Sequence, residues 1–329
     1  MNFSFSDDQL LLRDSARLLL ADQCPPSLLR AHTDDITAAR PLWEHLSDFV
    51  PLGIGPLVDL CVFMEELGRV AAPVPFFATA CLHAPVLEAV GEHDLDAVLD
   101  GHASGTVALA GADGVWHPNA EKRKTFVPDA ASVDLVAAIA ADGAVTLLAS
   151  PPAQRIETID TTRCLYDVET AVPGTSAGTI SRAALDAVLA RATVALAAEM
   201  VGTARRLLDM TIAYAKDRIQ FDVPIGSFQA VQHKLADVSL DVERAWSAVY
   251  YAAMAIDAAD DDRDRAVHVA KAAAGEAAKR AAKDGIQIHG GVGFTMEHDL
   301  HLFLRRAFGA EALLGSTGWH HDRLADLLI

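Results

Sequence analysis

Three stretches of unbroken helical period, residues 182–216, 229–259 and 264–288, constrain this chain more than any other feature in it. In each, apolar residues recur at i, i+3, i+4 and i+7, the spacing that lines one face of an α-helix. Alanine tracts such as AKAAAGEAAKRAAKD strengthen the signal, because alanine is the best intrinsic helix former. Long helices with short connections bury their apolar faces on one another, so an antiparallel bundle is expected in this part of the chain. Two more helical runs, 298–307 and 311–328, follow a glycine-bearing segment, GIQIHGGVGF.

The first 90 or so residues also carry a helical pattern, in shorter pieces. Ser6, two aspartates and Gln9 precede a periodic apolar run, the signature of a capped helix start. Pro25 and Pro26 end that helix, and runs at 27–32, 37–48, 57–70 and 76–89 follow. After Gly91 the texture changes. Short runs at 106–110, 124–128, 135–140, 144–149, 154–159 and 165–168, bounded by Gly, Asp and Pro, read as strands. The expected class is α+β, with an all-α domain at 1–92, a small β domain at 93–178 and the helical bundle at 179–329.

Charge and cysteine usage narrow the function. With 27 basic and 45 acidic residues the formal charge is −18, a field that repels nucleic-acid phosphates and anionic lipid. An anionic ligand therefore needs a local basic patch. No apolar run reaches the roughly 18 residues of a membrane span, and the acidic, amphipathic start is unlike a signal peptide. Cys24, Cys61, Cys81 and Cys164 are scattered without a CxxC, which suits a reducing cytoplasm and offers no metal site.

The stretch DRIQFDVPIGSFQAVQHKLAD, residues 217–237, joins two of the long helices. Arg218 is open to two readings there. One is a cation on the C-terminal end of the helix dipole. The other is a bidentate phosphate donor beside the N-terminus of a new helix capped by Ser227. His289 reads either as a helix-end histidine or as a main-chain contact to a cofactor. His320 and His321 point apart on a helix and read as surface residues. DAADDDRD at 257–264 is a solvated acidic turn, since it lacks the glycine and closing glutamate of a calcium loop.

Four motifs are similar to those of the acyl-CoA dehydrogenases. They are R-x-x-F-x-x-x-I-x-x-F-Q-x-V-Q-x-x-L-A-D from Arg218, IQIHGGVGFTMEHDLHLFLRRA from Ile286, Glu65-Glu66-Leu67-Gly68-Arg69 followed by Pro73-Val74-Pro75, and Asp160-Thr161-Thr162-Arg163. The resemblance implies an N-terminal helical domain, a middle β domain and a C-terminal four-helix bundle. It also implies FAD held across a subunit boundary, an acyl-CoA oxidised between Cα and Cβ, and an electron acceptor served by the complex. Carried onto this chain, Arg218 would lie against the pyrophosphate of a neighbour's flavin, with Phe221 near the adenosine and Gln229 in the same shell. Gln287 and the backbone of Gly290 and Gly291 would approach the dinucleotide from the other side, where bare glycine lets main chain come close.

The reacting side departs from the family pattern. The reaction needs a carboxylate base, and Leu314 occupies the glutamate position after Arg305-Arg306-Ala307. The alternative position on the first bundle helix falls at Ala192. Glu199 lies two turns further on, too far for the same role, and Glu311, one turn before Leu314, is the remaining candidate. The T-E-P-x-x-G-S-D stretch is replaced by Ala108–Gly114, the W-I-T-N stretch by Thr125–Ala130, and the aspartate of R-D-A by Arg306. The chain thus resembles the non-catalytic (β) subunit of actinobacterial heteromeric α2β2 steroid-type acyl-CoA dehydrogenases. In such an assembly a catalytic partner subunit brings the base, and this chain completes the partner's FAD site. Two alternatives stay open: a self-sufficient enzyme using Glu311, and a structural relative that binds no flavin.

Overall fold

The computed structural model describes residues 4–92 and 94–328. Helix α1 (Asp7–Gln23) starts as expected. The Ser6 hydroxyl accepts the Gln9 N–H at 3.2 Å, and the Gln9 side chain accepts the Ser6 N–H at 3.0 Å. Helices α2 (Pro26–Asp34), α3 (Arg40–Leu46), α4 (Leu57–Val70), α5 (Ala84–Val90) and α6 (Leu95–Leu99) follow. The single helix expected at 37–48 ends instead at Leu46 and tightens into a 3-10 turn over Ser47–Gly53, with Pro51 inside it. The run expected at 76–89 opens as a π turn over Phe77–His83 before α5 begins.

Two small sheets follow. The first has strand order β1 (Gly105–Ala108), β3 (Leu135–Ile139), β4 (Ala144–Ala149), β7 (Thr175–Thr179). In it β1 and β3 run parallel and the other pairs antiparallel. The second is antiparallel, in the order β2 (Arg123–Pro128), β6 (Leu165–Glu169), β5 (Ala153–Ile156). Their inner faces share one core, with Ala108, Val136, Ala138 and Leu148 from one sheet and Val127, Tyr166 and Val168 from the other. Strand β7, TSAGT, has no apolar alternation and four of its five residues exposed, so pairing with β4 defines it.

Helix α7 (Arg182–Asp217) leads through a hairpin, β8 (Ile219–Gln220) and β9 (Val223–Pro224), into α8 (Gln229–Asp257). Helix α9 (Arg263–His289) ends in a 3-10 turn over Gly290–Phe294, followed by α10 (Leu300–Ala312) and α11 (Thr317–Leu328). Helix α9 is the centre of this arrangement. It packs on α8, α10 and α11 through buried small residues such as Ala270, Ala274, Gly275, Ala278 and Ala282. The helix expected over 311–328 starts only at Thr317, which puts Glu311 in the last turn of α10.

The chain forms two compact units. One contains Met1–Pro26, Cys61–Ala72 and Val194–Ile329, the other Ser27–Leu60 and Pro73–Thr193. In the first unit the Glu65–Arg69 motif clamps helices. Gly68 lies against the carbonyl of Glu199 and Gly202 against the carbonyl of Glu65, so the α4 and α7 backbones touch. Glu65 pairs with Arg205 at 2.6 Å, Glu66 with Arg17 at 2.6 Å, and Arg69 with Asp209 at 2.6 Å. Among the described residues no helix is long and apolar enough to cross a membrane.

Candidate functional site

The connector after α7 is a tight hairpin with Ile219 opposite Pro224 and Gln220 opposite Val223. Its two turn residues, Phe221 and Asp222, have φ of +53° and +63°, the backbone of a type I′ turn. A bulky aromatic rarely adopts that conformation, and Phe221 adopts it while 88% exposed, touched edge-on by Phe228 at 6.2 Å. The turn thus holds an aromatic ring out in solvent at a conformational cost of about 1–3 kcal/mol. Arg218, at the hairpin's base, is exposed and makes no ion pair among the described residues. Helix α8 begins without a side-chain cap. The Ser227 hydroxyl donates to the Pro224 carbonyl at 2.7 Å, so Ser227 closes the turn and does not cap the helix. Gln229 is exposed in the first turn of α8.

The glycine segment stands beside this hairpin. Tyr214, one turn before Arg218, stacks on His289 with centroids 4.3 Å apart, and His289 immediately precedes Gly290. Gly290 has φ +60° and ψ −138°, a region essentially closed to other residues. At Gly291 a Cβ would meet nothing within 4 Å, so crowding inside this chain is not the reason for glycine there. Gln287, in the last turn of α9, is exposed. One end of the first unit therefore presents a guanidinium with no ion pair among the described residues, an extruded phenyl ring, two exposed glutamines and a stretch of open backbone. That donor set suits a dinucleotide: a cation for the pyrophosphate, a ring face for the adenosine, and room for main chain to approach. Sequence reasoning missed Tyr214, whose contact links the two segments.

The expected base position holds Leu314, and the two acids considered for the role, Glu311 and Glu199, are both engaged. Leu314 is buried, with φ +56°, in the turn between α10 and α11. Lys271, fully buried on α9, donates to the carbonyls of Glu311 at 2.9 Å and Gly315 at 2.8 Å. Burial, offset in part by the Glu311 charge, pushes its ammonium down to about 8. The Glu311 carboxylate is committed twice, accepting the Thr317 N–H at 2.8 Å and Lys279 at 3.0 Å. Burial alone would raise its pKa, but these partners outweigh it and hold the carboxyl below its ordinary value. A lowered pKa makes a poorer base. Glu199 is committed as well, bound at 2.7 Å to the buried Arg306. The aspartate-to-arginine departure at 306 is thus matched by an acid on α7. His320, expected at the surface, is instead 1% exposed and lies 3.1 Å from the Leu314 carbonyl, whereas His321 is exposed and pairs with Glu276 at 3.4 Å. The inward direction of Lys271 was legible, because Val267, Ala274 and Ala278 on the same helical face are core residues.

In the second unit the loop after β1 is closed on its own side chains. Asn119 donates to the Leu109 carbonyl at 2.9 Å, and Glu121 accepts the Ala112 N–H at 2.9 Å. The buried Lys124 ammonium lies 2.6 Å from the Asn119 side-chain oxygen. The segment that stands for W-I-T-N carries a bulge between Lys124 and Val127, with Phe126 and Asp129 at φ +53° and +55°. No group of three metal-binding side chains occurs among the described residues.

Residues 182–329 match the family described as acyl-CoA dehydrogenase, C-terminal domain. The chain is 32% identical over 326 residues to acyl-CoA dehydrogenase IpdE2 of Mycolicibacterium smegmatis, covering 94% of this chain and 95% of that one. Among solved structures it is similar to a chain of the Tcur3481–Tcur3483 steroid ACAD, with 29% identity, TM-score 0.86 and 98% of each chain covered. It is also similar to a chain of the ChsE4–ChsE5 complex from Mycobacterium tuberculosis, with 25% identity, TM-score 0.86, and 100% of this chain and 99% of that one covered. Identity of this extent along nearly the whole length, together with the shared fold, means that the chain belongs to the acyl-CoA dehydrogenase family.

Proposed function

We propose that this chain is the non-catalytic subunit of an FAD-dependent acyl-CoA dehydrogenase, and that it completes the flavin site of a catalytic partner in an α2β2 assembly. The observation that carries this proposal is the base position. Leucine stands there, and the two acids considered for the role, Glu311 and Glu199, are held by cations. The heteromeric steroid ACAD and ChsE4–ChsE5 structures support a partner subunit, and a bulky steroid side-chain acyl-CoA is the substrate class this suggests. The four cysteines are all free, in keeping with a cytoplasmic enzyme.

A bound flavin would supply the hydride acceptor for the acyl thioester, and the partner's base would take the α-proton. This chain's residues serve the other end of the cofactor. Arg218 binds the pyrophosphate, Phe221 packs on the adenosine, and Gln229, Gln287 and the Gly290–Gly291 backbone bind around it. The self-sufficient alternative asks Glu311 to leave both Lys279 and the N-terminus of α11 before it accepts a proton.

Purification alone and with the partner tests the proposal. The isolated chain is expected to be colourless and inactive, and the co-expressed complex yellow and active on an acyl-CoA. In the complex, Arg218→Ala should lower flavin content severalfold, while Glu311→Gln should leave turnover within about threefold. A yellow, active isolated chain, or a loss of several hundredfold on Glu311→Gln, would overturn it.

A further inference from the structure

The two segments assigned to the dinucleotide come from different helices and are far apart in sequence, so something must fix the distance between them. Three rings do this. Tyr214 stacks on His289 at 4.3 Å with the planes 21° apart. His298 meets both rings edge-on, at 4.8 Å from His289 and 6.3 Å from Tyr214. The Tyr214 hydroxyl also donates to the His289 carbonyl at 3.4 Å. Each ring belongs to a different piece of chain: the last turn of α7, the last residue of α9, and the segment leading into α10.

Hydrogen-bond direction fixes the tautomer that each histidine has in its neutral form. His289 Nδ1 lies 2.8 Å from the Gly285 carbonyl, which can only accept, so Nδ1 carries the hydrogen. In the neutral ring its Nε2 is then a bare acceptor, buried and without a partner among the described residues. His298 Nδ1 accepts the Leu300 N–H at 3.1 Å, so in the neutral ring its hydrogen sits on Nε2. His289 is 3% exposed, and the glycine segment folds back on it: a Cβ at Gly293 would come within 3.0 Å of the His289 Cβ. On the other side, the Arg218 N–H bonds the Tyr214 carbonyl at 2.9 Å, and a Cβ at Gly226 would come within 3.0 Å of the Ala215 carbonyl. Hairpin and glycine segment thus both rest on the turn that carries Tyr214.

We propose that Tyr214, His289 and His298 are positioning residues that fix the Gly290–Phe294 segment against the Arg218 hairpin and thereby set this chain's contribution to dinucleotide affinity. The proposal rests on the function proposed above. None of the three touches the reacting atoms. They act by holding other groups in place, so a variant that spares the stack should behave differently from one that removes it.

The test compares Tyr214→Phe, which keeps the ring and loses only the long hydroxyl bond, with Tyr214→Leu, which removes the stack. In the isolated chain, amide hydrogen exchange over residues 290–299 should speed up about tenfold for Tyr214→Leu and stay near wild type for Tyr214→Phe, with α8 amides unchanged. In the co-expressed complex, FAD affinity measured by titration of the stripped protein should fall about tenfold for Tyr214→Leu only. His298→Gln, at a half-exposed position, is the second variant should Tyr214→Leu not fold, and the same two changes are expected. Unchanged exchange in a folded variant overturns the proposal. Faster exchange with unchanged FAD affinity also overturns it, provided Arg218→Ala lowers affinity. Faster exchange with both variants indifferent in FAD affinity places the failure in the proposed cofactor site and leaves the ring contacts standing.

Discussion

Arg306 and Glu199 show how a departure from a family pattern becomes structural. Read singly, an arginine in place of aspartate looks like erosion. In the fold it is half of a buried pair, with the guanidinium 5% and the carboxylate 2% exposed. Removing one partner strands the other charge, so Arg306→Ala should destabilise the chain by about 3–5 kcal/mol in denaturant unfolding, while replacing both with leucine should recover most of that. His320 supplies a pH dependence. Its burial, with the charges of Lys271 and His268 adding to it, lowers its pKa to about 3. The folded state keeps the ring neutral, while the unfolded chain takes up a proton below the ordinary value of about 6.5. The stabilisation is complete above 6.5 and is lost as pH falls from there towards 3. Unfolding midpoints measured between pH 7.5 and 5 should therefore fall with acid, and His320→Gln should flatten that slope. An identical slope in the variant would assign the effect to other buried histidines such as His83.

At the scale of the element, the contact of α4 with α7 is the most exacting. An added Cβ at Gly202 would enter the Glu65 carbonyl, which is backbone and cannot swing aside. Gly202→Ala should cost about 1–3 kcal/mol or more, read as a fall in Tm. Gly291→Ala, where a Cβ meets nothing within 4 Å, should leave Tm unchanged. This contrast also explains which elements were legible in the sequence. Helices α7, α8 and α9 were readable because their period is local and sustained. Strand β7 was not, because its small polar residues carry no alternation and its identity comes from β4. The run at 311–328 looked continuous because Leu313 and Leu314 extend the apolar pattern. The chain turns there because Lys271 and His320 bind the carbonyls of Glu311, Leu314 and Gly315, contacts between residues remote in sequence. For the proposed site, Arg218, Phe221 and the leucine at the expected base position could be picked out through the motif resemblance. The commitment of Glu311 to Lys279 and Thr317 could not, since it depends on where α10 stops.

For the whole molecule, the question is how many flavins an assembly holds. Each chain of a self-sufficient enzyme needs both a reacting side and a dinucleotide side. Here the first unit keeps an exposed Arg218 with no ion pair among the described residues and an 88% exposed Phe221, while in the second unit the loop after β1 is tied by Asn119, Glu121 and Lys124. If this chain completes its partner's site and keeps none of its own, the complex should carry one FAD for each pair of unlike chains. Flavin absorbance against protein mass in the purified complex measures this ratio directly. Two flavins per pair would mean that this chain binds a flavin of its own, and the closed loop would then have to open to admit it. Asn119→Ala separates the cases further. It removes the donor to Leu109, and under a one-flavin stoichiometry it should loosen the loop to proteolysis without changing flavin content.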